Sequence, residues 1–222
     1  MREPDPISAA SLAELAGANG IAAHLRQDRR AVQERDVRLL RQTVTTHLNL
    51  IMAPGAAMLQ FAIDVLPDMV TLVPEKREEL TTEGGLNVAS NQTEIAKMVE
   101  SLRKHDVDVS LFIEPEVSHI KSAIKTGARF VQFNTSAYGN AYDFGGDNNQ
   151  WQEELSQIQN MLQYAHKCNL WVNGGGGLNY QNVIPLARLE GWEEITVGHA
   201  VSARAALVGM DRAVRDMVAL VS

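Results

Sequence analysis

Only one cysteine, Cys168, occurs in the 222 residues, which excludes an intrachain disulfide and leads to the expectation of a reducing, cytoplasmic setting. No amphipathic or apolar leader precedes the first expected helix. No apolar run approaches the roughly 18 residues of a membrane-spanning helix, so no membrane partner is expected. Positive charge is scarce: 20 Lys and Arg against 27 Asp and Glu give a net charge of −7, which argues against a nucleic-acid surface. A single phosphate group can still be held by local basic residues and backbone N–H groups. No close set of His, Cys or carboxylates has zinc spacing, so no metal is expected, and Cys168 has no evident base beside it. The four-glycine run near the C-terminus is not followed by the acidic ribose partner of a dinucleotide fold. Low-complexity tracts and linkers are absent as well, and one domain over residues 1–222 is expected.

What is present is an alternating pattern. Asp5 and Pro6 read as a cap and first-turn proline opening a helix over Ile7 to Gly17. Compact strands are expected at Gly20 to Leu25, Leu48 to Ala53, Met69 to Pro74, Val107 to Glu114, Arg129 to Ser136, Leu170 to Gly175 and Glu194 to His199. Between them lie helices such as Asp36 to Thr45, with Val37, Leu39 and Leu40 inward, and Asn91 to His105, with Ile95, Met98, Val99 and Leu102 forming a stripe. A last helix carries Leu207, Met210, Val214, Met217 and Val218 against the wall, with Arg204, Arg212 and Arg215 solvated. Eight helical segments against seven strands imply an α/β fold of the TIM (β/α)₈ type lacking its first strand. Glu75 to Val88 and Ala137 to Asn149 are read as irregular loops after strands, at the face where such barrels build their sites.

Three candidates occupy that face. In His24-Leu25-Arg26-Gln27-Asp28-Arg29-Arg30, His24 and Arg26 are two apart, so both can face the mouth as a proton-transfer group and an anion clamp. The same residues also fit a hydrogen-bonded His beside a solvated basic loop. The charged loop from Val73 to Leu86, with Thr81 and Thr82, can offer hydroxyl and backbone donors to an anion, or be a solvated loop. The run Asn173-Gly174-Gly175-Gly176-Gly177-Leu178 and the later Val197-Gly198-His199-Ala200 lie where barrels commonly bind phosphate, although four glycines also describe a flexible connection. His47, His105, His119 and His166 fall near helix ends or on helix faces, and no chemistry is assigned to them.

Read together, His24 to Arg30, Val73-Pro74-Glu75-Lys76-Arg77, Thr81 to Leu86, Ser110-Leu111-Phe112-Ile113 and Val197 to Ala200 resemble the pyridoxine 5'-phosphate synthase family, in order and from Asp5 onward. The resemblance implies a TIM barrel with added helices and no metal or organic cofactor. Its reaction condenses 1-deoxy-D-xylulose 5-phosphate with 3-amino-2-oxopropyl phosphate, releasing water and phosphate. It makes His24 match a catalytic acid/base, Arg26 and Thr81 match sugar-phosphate contacts, and Gly177, Gly198 and His199 match ligand contacts. It also implies a homo-oligomer.

Departures accompany the matches. The family's Asn-Leu-Glu-Met-Ala, with a catalytic Glu, reads Asn49-Leu50-Ile51-Met52-Ala53 here, and Ile51 cannot carry a proton. A catalytic His in the family's Asn-Ala-Gly-His-Gly-Leu is Gly176, and a binding His is Ala31. The family's Glu-x-His-Thr-Gly becomes Gln132-Phe133-Asn134-Thr135-Ser136, and its first strand, with Asn-x-Asp-His, has no counterpart. The leading expectation is therefore a divergent homologue that binds a phosphorylated small molecule but is impaired in the condensation. An active synthase and a non-catalytic interaction subunit are the alternatives.

Overall fold

The computed structural model describes residues 4–75, 84–145 and 149–222. Among these, seven strands pair in strict chain order, all parallel: β1 (Ile21–His24), β2 (Leu48–Met52), β3 (Met69–Leu72), β4 (Asp108–Ile113), β5 (Phe130–Asn134), β6 (Trp171–Gly175) and β7 (Glu194–Thr196). The helices are α1 (Pro6–Leu15), α2 (Glu34–Thr43), α3 (Ala56–Val65), α4 (Gln92–Arg103), α5 (Val117–Ile124), α6 (Ser136–Phe144), α7 (Gln150–Lys167), α8 (Val183–Ala187), α9 (His199–Val208) and α10 (Met210–Val221). Parallel neighbours need a crossover, and a helix supplies each one. The architecture is the TIM-type α/β barrel, nearly closed, with the strand count of a ring without its first strand.

Local chemistry explains most element starts. Asp5 accepts the Ser8 backbone N–H at 3.1 Å and the Ser8 hydroxyl at 2.8 Å, with Pro6 opening the helix. The Asp36 carboxylate accepts the Gln33 N–H at 3.0 Å, which starts α2 two residues before the expected Asp36. Ile95, Met98, Val99 and Leu102 of α4 are all buried, as their spacing requires, but Asn91 ends a short 3₁₀ turn and its side chain caps nothing.

Three expectations are corrected. Ala137 to Asn149 is not wholly irregular, because α6 fills most of it: Tyr138 is buried and donates to the Asn182 carbonyl at 2.6 Å. Packing there overrides the weak helix propensity of a stretch containing glycine and asparagine. The final helix is two helices, broken at Gly209 (φ +86°), and this leaves Leu207 87% exposed on α9 while Val214 and Met217 of α10 are buried. The last strand ends at Thr196 instead of His199, so His199 opens α9.

Strand alternation separates two environments. Leu50, Met52, Val70, Leu72, Leu111 and Phe133 face outward and form, with helix residues such as Phe61, Ile95, Leu102 and Leu162, the main hydrophobic core. The opposite parity faces the barrel axis and is largely polar. Thr71 donates to Asn49 at 2.9 Å, and Asn173 of β6 reaches Met69 of β3 at 3.7 Å between strands that are not neighbours. Ser110, Gln132 and Asn173 each bury a side-chain oxygen without a partner among the described residues.

The sheet is open between β1 and β7. A cavity of about 740 Å³ lies at this seam, lined by Ala10 and Ala13 of α1, Ala22 of β1, Thr196 of β7 and Val214 and Val218 of α10. The helix layer does cross the seam, where Arg215 of α10 donates to the Leu15 carbonyl at 3.2 Å. Below it, His47 Nδ1 lies 2.9 Å from the Glu194 carboxylate and links the start of β2 to β7. The hydrogen bond that His47 donates to the Glu194 carboxylate raises the pKa of His47 above its ordinary value, against an opposing effect of burial. The folded ring thus binds its proton more readily than the unfolded one. Its stabilisation is complete below about pH 6.5, the unperturbed histidine value, and is lost as pH rises through the elevated folded value. With both side chains partly solvated, the effect should be about 0.5 kcal/mol. Urea midpoints recorded across this range for wild type and Glu194→Gln should differ at low pH and converge at high pH.

Candidate active site

The C-terminal ends of the strands converge on one mouth. His24 ends β1 and pairs in register with Ile51 of β2, so the two side chains share the inward face. His24 is half-buried, and its Nε2 is enclosed without a partner among the described residues. Burial lowers its pKa below the ordinary value. Glu75 and Asp28 pull it up, and Arg26 and Arg30 push it down. The ring is therefore neutral at physiological pH and able to accept a proton.

Arg26 follows the strand and is buried, 7% exposed. It donates to Asp28 through Nε at 3.2 Å and Nη2 at 3.2 Å, and Nη2 lies 3.5 Å from Glu75. Glu75, three residues after β3, accepts the Gln27 N–H on both oxygens at 3.1 and 3.0 Å, clamping the β1–α2 turn. Arg26 is thus already held by two carboxylates, and an incoming phosphate would compete with the partly exposed Asp28 for it.

Across the mouth, Glu114 after β4 accepts from the Gly85 N–H at 2.7 Å and from Asn134 Nδ2 at 2.9 Å. Asn134 Oδ1 in turn accepts the Ser136 N–H at 3.1 Å, and Thr135 donates to the Gly176 carbonyl at 2.6 Å. Gly176 has φ +108°, and a Cβ there would lie 2.7 Å from Ser136 Oγ and 2.8 Å from Asn134 Oδ1. Position 176 is bare because the end of β5 fills its side-chain space.

The expected site residues fall into separate groups. His24 and Arg26 lie together beside Glu75 at the β1–β3 side. Gly177 (φ +68°) is exposed beyond β6 and packed against Ser136, and Gly198 and His199 are exposed at the start of α9. His199 is therefore neither on a strand nor packed inside. Thr81 lies outside the described residues. The sequence pattern assigns no role to Glu75 or Glu114, and Asn134 and Ser136 stand in it only as neutral replacements of family groups. Strand parity was the signal for Glu114 and Asn134, since both follow inward-facing positions. Among the described residues, no cluster of His, Cys, Asp and Glu is grouped to hold a metal ion.

The sequence profile of the family described as "Pyridoxal phosphate biosynthesis protein PdxJ" matches residues 1–222. The chain belongs to the PdxJ family. It is similar to a pyridoxine 5'-phosphate synthase of Geotalea uraniireducens, 52% identical over 219 residues that cover 99% of this chain and 90% of that protein. One from Synechocystis sp. is 51% identical over 215 residues, covering 97% and 87%. Solved structures share the fold alone. KGPDC from Streptococcus mutans superposes with a TM-score of 0.66 at 10% identity, covering 97% of this chain and 90% of that one. An aldolase from TTHB1, titled 4-hydroxy-2-oxoglutarate aldolase/2-deydro-3-deoxyphosphogluconate aldolase, gives 0.65 at 15% identity, covering 100% and 91%.

Within this PdxJ family member, the crowding at position 176 makes a reversal test. Gly176→His should destabilise the fold by about 1–3 kcal/mol, from the unfavourable φ together with the clash. Adding Ser136→Gly should recover part of that loss, read as urea midpoints of the single and double variants.

Proposed function

We propose that this chain is an active pyridoxine 5'-phosphate synthase that condenses 1-deoxy-D-xylulose 5-phosphate with 3-amino-2-oxopropyl phosphate. The observation that carries the reading is the 52% identity, over 99% of the chain, to a protein named for that activity. The mouth is compatible with it. His24, neutral and with Nε2 unpartnered among the described residues, serves as acid/base; Arg26, Thr81, Gly177, Gly198 and His199 serve as contacts to the phosphorylated substrates, with Arg26 exchanging Asp28 for phosphate. Phosphate at the start of α9 would meet first-turn backbone N–H groups, where no side chain among the described residues caps the helix. The subunits are proposed to assemble as a homo-oligomer.

One observation favours a second reading, a phosphate-binding homologue impaired in the condensation: the apolar Ile51 is registered directly against His24. The level of identity to the named synthases outweighs it.

Purified protein given both substrates should form pyridoxine 5'-phosphate, detected by chromatography. His24→Ala should reduce kcat by about 10² to 10⁴, and Arg26→Ala should act mainly by raising KM. Calorimetric binding of the sugar phosphate without any product would instead support the second reading.

A further inference from the structure

We infer that Glu114 is the carboxylate that exchanges protons with bound substrate in this site, a role built from the end of β4 instead of from position 51. The inference rests on the synthase reading above. Four observations carry it. First, Ser110, Phe112 and Glu114 share one parity of β4, and Ser110 is registered against Thr71, whose hydroxyl bonds Asn49 of the axis-facing set, so Glu114 lies on the inward side at the mouth. Second, its contacts among the described residues, from Gly85 and Asn134, both land on Oε1, which leaves Oε2 without a partner there. Third, Glu75, a carboxylate on the β1–β3 side of the mouth, has both oxygens taken by Gln27 N–H. Fourth, the chain is shaped around Glu114: a Cβ on Gly85 would lie 2.6 Å from the Glu114 nitrogen, so only glycine lets that loop backbone reach the carboxylate.

The hydrogen-bond directions are settled by Ser136. Its backbone N–H can only donate, so the atom of Asn134 that receives it is Oδ1, and Nδ2 must face Glu114. Oε1 is thereby held by two donors, and Oε2 is the atom left to move a proton. In the water-releasing step, Oε2 takes a proton from a substrate C–H. The electron pair of that bond forms the new carbon–carbon double bond as the neighbouring hydroxyl leaves, and the carboxylic acid returns the proton to it, giving water and the carboxylate again.

Glu114→Gln tests this cleanly, because an amide oxygen can keep both hydrogen bonds now made to Oε1 while the group loses its exchangeable proton. With both substrates, the variant should keep its melting temperature and KM values but lose about 10² to 10⁴ in kcat. Glu114→Asp, which withdraws the carboxylate by one methylene but keeps the exchangeable proton, should turn over faster than Glu114→Gln, with kcat lowered about tenfold or more from wild type. Wild-type kcat in a folded Glu114→Gln overturns the inference and leaves the synthase reading intact. If that variant does not fold, Glu114→Asp decides: wild-type kcat overturns the inference, and a lowered kcat at unchanged melting temperature supports it. No product from the wild-type chain overturns both.

Discussion

Everything in this barrel depends on the two-residue alternation of its parallel strands. One parity delivers Leu50, Val70, Leu111 and Phe133 to the helices, where burial of apolar surface supplies the main stabilisation. The other parity is thereby free of core duty and carries Asn49, Thr71, Ser110, Gln132 and Asn173 along the axis. Because the core lies between sheet and helices and not inside the ring, the axis tolerates polar groups and the mouth can hold His24, Asn134 and Glu114 without disturbing the fold. A one-residue slip of any strand would exchange the two sets.

The open seam follows from the same division. β1 and β7 each have only one sheet partner, and the short β7 has no buried residue. What spans the opening is peripheral: α1 against α10 outside, and the His47–Glu194 pair below. The ring keeps its shape because the helix-side core runs continuously from β2 to β6, away from the seam.

At the mouth, the replaced positions are part of one network. Gly176 is bare where Ser136 and Asn134 take up the space, and Asn134 ties Ser136 to Glu114. Taken singly, each substitution reads as the loss of an ionisable group. In the fold they are neighbours that fit one another, so a side chain at position 176 would press on both Ser136 and Asn134.

The alternation of strand and helix, the inner stripe of α4, the Asp5 cap and the seven strands found among the described residues were all legible in the chain, because hydrophobic period and capping chemistry are local. So were His24 and Arg26, as neighbours two apart at a strand end. Helix α6 was hidden, since its stability comes from Tyr138 and Gly139 packing on the β6–α8 turn and not from propensity. So was the break at Gly209, which an apolar stripe running across it concealed. Only the tertiary structure decided that Glu75 clamps Arg26, that Glu114 meets Asn134, and that His47 reaches Glu194. These partners are separated by 20 residues or more, and no local pattern records which side chains a closed sheet brings within hydrogen-bonding distance.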